Sequence, residues 1–393
     1  MCIRDRLETV DSPLARALWW ELSHEPLRWH AHMGATVYSL DVSPDGRWIA
    51  AGLQDGTVHL VDAVTREAQP LRGLRDPVQA VAFSPDGSQL ACGTYGGQLA
   101  LWRVDDPGTP VLVDGAHEGF LSILTYAPDG SLLASASKDG TVGLWDPASG
   151  QRLRTLEPGG ERVHDVVFSS TGAWLATGDG QGVVGVWDPA TGERLRTLEG
   201  HDKSIHRLAF SPDGAWLASA SWDGTTRLWN LPDGGLRAVL RGHQARVTAV
   251  AVHPDGDRLF TSSNDRTVRV WSTQDGRELD VLRGHDARIG GLQLSPDGTQ
   301  LATRGDDATV RLWDLAGGGP PRVLEGHTAS IMRIRYSPDG ARLYSGGNDH
   351  EVRAWATAVE RVVPPQRGHE AMVTALDLTA DGTVAASASL DQT

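Results

Sequence analysis

Serine, histidine and aspartate recur together along this chain. Those three types can build a relay in which imidazole takes a hydroxyl proton and a carboxylate orients the ring. The sets are His117, Ser135 and Asp139; His201, Ser219 and Asp223; His243, Thr261 and Asp265; His285, Thr303 and Asp307; His327, Ser345 and Asp349. A tryptophan closes each set, at Trp145, Trp229, Trp271, Trp313 and Trp355, always 28 residues after its histidine. A ninth copy begins with His369, Ser387 and Asp391 and then the sequence stops. A catalytic set would not be duplicated in every repeat, so the structural reading is preferred. In it, the carboxylate accepts from the ring, the ring bonds the hydroxyl, and the hydroxyl accepts from the indole N–H. Each buried polar group then has a partner.

Other chemistry is sought without result. Lys138 follows Ser137 and Lys203 follows Asp202, whereas a phosphate loop needs glycine before its lysine. The sequence has no Gly-x-Ser-x-Gly elbow, no His-Glu-x-x-His zinc helix and no Cys-x-x-Cys pair. Cys2 and Cys92 are the only cysteines, which excludes a disulfide framework and a multi-cysteine metal site. The expectation is therefore no enzyme, no metal and no cofactor. The net charge of −14 offers no general field for phosphate backbones, so nucleic acid is not an expected partner. Apolar runs are strand-sized, too short for a membrane helix, and a cytoplasmic location is expected.

Turns and strands must position the repeated residues. A turn of the form Ser-Pro-Asp-Gly, or a near variant, ends at Gly46, Gly87, Gly130, Gly172, Gly214, Gly256, Gly298, Gly340 and Gly382. The steps are 41, 43 and then 42 six times. Within one period, Val247 to Val252, Leu259 to Ser262, Thr267 to Trp271 and Glu278 to Leu282 read as four short strands separated by turns. One such sheet cannot bury both faces alone, so the units must stack around an axis.

With Trp145-Asp146, Trp187-Asp188 and Trp313-Asp314 as literal Trp-Asp pairs, the chain resembles the WD-repeat β-propeller family over residues 27–393. The resemblance implies an all-β propeller of four-stranded antiparallel blades. Eight complete repeats and a truncated ninth favour an eight-bladed ring, with seven blades plus a remainder as the alternative. The propeller is placed at residues 26–393. Residues 1–25 form a separate segment, with a short helix over 13–22 begun by Ser12-Pro13. Met1 to Arg6 match a translated sequencing-library end and are set aside as non-native. Lysine occurs only at Lys138 and Lys203, the usage of a GC-rich bacterial genome. The whole reads as part of a larger bacterial signalling protein.

Three repeats depart from the pattern. The first has Met33, Ala51 and Val61, the second Leu74, Cys92 and Gly96, and the fourth Gly159 and Gln181 beside Thr177 and Trp187. Lacking the polar network, these blades are expected to open more easily.

The family resemblance implies that a partner binds the rim carrying the loops into the first strands. Residues in those slots are Phe120, Arg162, His164, His206, Trp222, Arg246 and Arg288, with Tyr38, Tyr95, Lys138 and Met332 beside them. Tryptophan and arginine most often dominate binding energy. The expected partner is another protein or peptide, acidic or amphipathic, docked around Trp222 with Arg246, Arg288 and Arg162 as charge partners. The oligomeric state is left open. The alternative is a propeller enzyme of quinoprotein or lactonase type, needing unlike residues from different blades at the central channel. The repeats read as too alike to supply them.

Overall fold

A computed structural model describes residues 26–358 and two further strands, Val373–Leu378 and Ala385–Ser389. The proposed helix over 13–22 lies outside the described residues. The described part is all-β: eight four-stranded antiparallel sheets, and one two-stranded hairpin formed by the last two strands. In the sixth blade the strands run Val247–Val252, Arg258–Ser263, Thr267–Ser272 and Glu278–Arg283. Their order in the sheet follows their order in sequence, as hairpin connections of a few residues require.

The eighth blade is built differently. Its inner strands are Ile331–Tyr336, Arg342–Gly347 and Glu351–Ala356, and its outer strand is Leu27–His32 from the other end of the chain. Trp29 pairs with Ala354 and Ala31 with Val352. In its own period this blade carries Pro364-Pro365 after the tryptophan strand, and proline has no N–H to give a neighbouring strand. The chain divides into two compact units, Met1–Thr357 and Ala358–Thr393. The closed eight-bladed ring lies within the first of these.

Stacking of the blades buries the apolar faces. Eight core clusters occupy the eight junctions between neighbours. The closing junction sets Trp29, Tyr344, Val352 and Ala354 against Val37, Leu40, Ile49 and Val61. The Ser-Pro-Asp-Gly turns meet in the same way. Each turn glycine among the described residues has positive φ, and a Cβ on Gly46 of blade one would stand 3.3 Å from Pro338 of blade eight. The turn aspartates cap their own loops: Asp45 accepts from the Ser43 hydroxyl at 2.5 Å and from the Arg47 N–H at 3.0 Å.

One irregularity repeats in every blade. The register between first and second strands slips after the first residue, leaving a bulge at Tyr38, Gln79, Ser122, His164, His206, Thr248, Gly290 and Met332. A bulge adds a residue to one strand and re-aims the side chains around it. Here it sets which side chains reach the channel mouth.

Candidate functional site: the blade network, the rim and the channel

The polar sets come together in five blades. In blade three, His117 Nδ1 lies 2.9 Å from Asp139, its Nε2 2.8 Å from Ser135 Oγ, and Trp145 Nε1 donates to that hydroxyl at 2.7 Å. Blade five repeats this with His201, Asp223, Ser219 and Trp229 at 2.7, 2.9 and 2.8 Å. Threonine serves as the hydroxyl in blade six, where His243 meets Asp265 and Thr261 and Trp271 donates to Thr261. Blade seven has the same arrangement of His285, Asp307, Thr303 and Trp313. Blade eight joins His327 to Asp349 and Ser345, with Trp355 donating to Ser345.

Sequence reasoning missed a fifth member. Thr141, Thr225, Thr267 and Thr309, each two residues after the aspartate, donate hydroxyl and backbone N–H to the same carboxylate oxygen. Their recurrence was visible in sequence. Burial alone would raise the Asp223 pKa, but hydrogen bonds from His201 and Thr225 outweigh it and hold the carboxyl well below its usual range. The same balance holds at Asp265 and Asp307. Ser135, Ser219, Ser345, Thr261 and Thr303 have no solvent exposure. A hydroxyl closed in this way, already accepting an indole N–H, cannot reach a substrate carbonyl.

The departing blades fill the slots with carbon or leave them open. Blade one buries Met33, Ala51 and Val61 in an apolar cluster. Blade two buries Cys92 beneath Trp102, whose N–H has no partner. Blade four keeps the Trp187 to Thr177 bond at 2.9 Å, and its buried Asp179 caps the turn through Gln181 and Val183 N–H.

At the rim, residues from several blades gather into one surface. Trp222 lies 5.4 Å from His164 and 5.5 Å from His206 between ring centroids, and the Arg246 guanidinium sits 4.5 Å over its indole. Burial, then the positive charge of Arg207, lowers the pKa of both histidines, so near neutral pH they add ring surface rather than charge. A second group stacks Tyr95 on Phe120 at 5.3 Å with Lys138 Nζ 3.8 Å over the Phe120 ring. Arg162 is exposed, and its charge acts on both Lys138 and His164. Arg288 is exposed and forms an ion pair with Asp306 at 2.6 Å.

The channel does not repeat. One residue past the bulge, the eight blades carry Ser39, Ala80, Ile123, Asp165, Arg207, Ala249, Gly291 and Arg333. This corrects the expectation that the repeats are too alike to make an asymmetric channel. Polar residues here serve a neighbour: Asp165 accepts the Leu208 N–H at 2.7 Å and Ser39 the Val81 N–H at 3.1 Å. Among the described residues, no group of histidine, cysteine and carboxylate side chains could hold a metal ion.

A closed ring of eight such blades, five of them with the full polar fastening, defines a β-propeller of Trp-Asp type. The chain belongs to the WD40 family: the WD domain, G-beta repeat matches residues 24–62, 68–103, 108–146, 150–188, 192–230, 234–272, 276–314, 318–356 and 362–393. Among curated proteins it is similar to eukaryotic translation initiation factor 3 subunit I of Aspergillus terreus, 36% identical over 23% of this chain and 27% of the relative. It also resembles the guanine nucleotide-binding protein subunit beta of Zea mays, 33% identical over 23% of this chain and 26% of the relative. The chain thus spans about a quarter of the length of those relatives. Among solved structures, the computationally designed Ika8 protein matches with TM-score 0.74 and 27% identity, covering 85% of this chain and 99% of that one.

Proposed function

We propose that this protein is a non-catalytic scaffold whose rim holds an acidic or amphipathic peptide. The carrying observation is the group of Trp222, His164, His206 and Arg246, which joins three blades in one contact surface. Arg162 and Arg246 supply exposed charge beside the rings, in a protein that is acidic overall. Aromatic and guanidinium groups presented together are the composition of interface hot spots. The closed hydroxyls of the five polar sets support the non-catalytic reading. A cytoplasmic setting in a bacterial signalling protein belongs to the same proposal, supported by the buried free Cys92 and the arginine bias.

Trp222→Ala tests the reading. The expected result is that partners captured from a bacterial lysate by the wild-type chain fall at least tenfold with the variant, as loss of about 2 kcal/mol at a hot spot implies. Unchanged capture would remove the rim as the binding surface.

A further inference from the structure

Four arginines converge on the central channel from three blades: Arg207, Arg304, Arg333 and Arg335. They border a cavity of about 150 Å3, and all four side chains are partly open to it. Arg304 is out of place by the logic of the repeat. Its slot on the second strand holds Gly52, Gly93, Ala136, Gly178, Ala220, Ser262 and Gly346 in the other blades. A small residue there lets the next blade approach: a Cβ on Gly52 would stand 2.7 Å from Val78. Blade seven accommodates the long side chain by giving up bulk elsewhere. Its first strand carries Gly290-Gly291, where a Cβ on Gly291 would stand 2.9 Å from Arg304 Nε and one on Gly290 would overlap the guanidinium. The guanidinium is fixed by donating to the carbonyls of Ile331 and Gly290, each at 2.7 Å.

The charges here are poorly balanced. Asp41 accepts from Arg335 at 3.2 Å. Among the described residues Arg207 and Arg333 have no carboxylate partner, each donating only to the carbonyl of the residue before it. Two further acids bear on this region: Asp306, paired with Arg288, acts on Arg304, and Asp165 is buried with one oxygen unpartnered, burial pushing its pKa up to about 6 against the pull of Arg207. His206, with an unpartnered Nδ1, adds no positive charge at neutral pH. Gathering like charges away from bulk water is unfavourable unless an opposite charge joins them. Guanidinium groups from several directions match an oxyanion with several acceptor oxygens.

We propose that the central channel binds a small phosphate-class anion, held by Arg207, Arg304, Arg333 and Arg335. The site adjoins the rim, with His206 between Trp222 and the arginines, but its four arginines are not members of the Trp222 group and anion binding does not depend on peptide binding there. The cavity suits phosphate or pyrophosphate rather than a macromolecule.

Calorimetry and thermal unfolding of the whole chain with sodium pyrophosphate, orthophosphate and chloride at matched ionic strength decide the matter. Pyrophosphate is expected to bind saturably and raise Tm beyond chloride. Arg333→Gln is expected to raise the Tm of the free protein, by relieving repulsion, and to weaken pyrophosphate roughly tenfold or more. Trp222→Ala should leave the affinity unchanged. Pyrophosphate acting no differently from chloride would overturn the proposal. Undiminished binding in both Arg333→Gln and Arg304→Gln would do the same, since it would place the anion elsewhere.

Discussion

Ser219 and Cys92 occupy one slot in their respective blades, and the difference between them shows what the hydroxyl does. Ser219 takes the Trp229 indole N–H and the His201 ring, whereas Cys92 leaves the Trp102 N–H unpartnered. Removing Ser219 Oγ orphans two buried groups, so Ser219→Ala is expected to destabilise by about 1–3 kcal/mol. Cys92→Ser runs the other way, because blade four shows a hydroxyl satisfying its tryptophan without any histidine. Cys92→Ser is expected to be more stable than Cys92→Ala by about 1 kcal/mol. Urea unfolding of the three variants measures both. Equal stability of the two Cys92 variants would refute the argument. At this scale the sequence was legible where residues repeat. The slots of His, Ser or Thr, Asp and Trp could be read off spacing. Arg304 could not, because its meaning depends on glycines 13 and 14 positions earlier in a strand beside it.

Closure of the ring belongs to the scale of elements. Strand Leu27–His32 contributes Trp29, which is 8% exposed and lies 6.1 Å from the Tyr344 ring in the closing cluster. Trp29→Ala removes the largest apolar group that this strand brings to the closing junction, at an expected cost of about 3–5 kcal/mol. Amide exchange should quicken together in Glu351–Ala356 and Val37–Val42, which flank the junction. Exchange confined to residues 27–32 would show that the strand is an appendage rather than the closure. The strands themselves were legible from alternation and turn residues, to within a residue or so in the sixth blade. Two element features were not. The bulge after the first residue of every first strand leaves the apolar pattern almost unchanged. The closing strand is separated from its partner by nearly the whole ring, so no local signal joins them.

Across the whole molecule, stability is a sum of blades and junctions, as in other repeat architectures. Blades three, five, six, seven and eight carry the full polar set, while blades one, two and four do not. Native-state hydrogen exchange should therefore be faster in blades one and two than in five and six, by a factor of about ten for each 1.4 kcal/mol of local stability. Equal protection would mean that junction packing, present at all eight interfaces, outweighs the internal network.

By itself, the sequence determined the repeat, its period, the four strands of each blade and the residues that fasten them, because each depends on spacing within some forty residues. It also supplied the slots from which a rim could be assembled. Tertiary structure decided what lies between blades. Only the stacking of blades brings His164, His206, Trp222 and Arg246 from three blades into contact, and only the ring turns four scattered arginines toward one channel. The physical reason is one of range. Strand pairing and turns are set by neighbours in the chain, whereas charge and contact at the axis are set by residues as far apart as Asp41 and Arg335, 294 positions, that meet only when the blades have stacked into a ring.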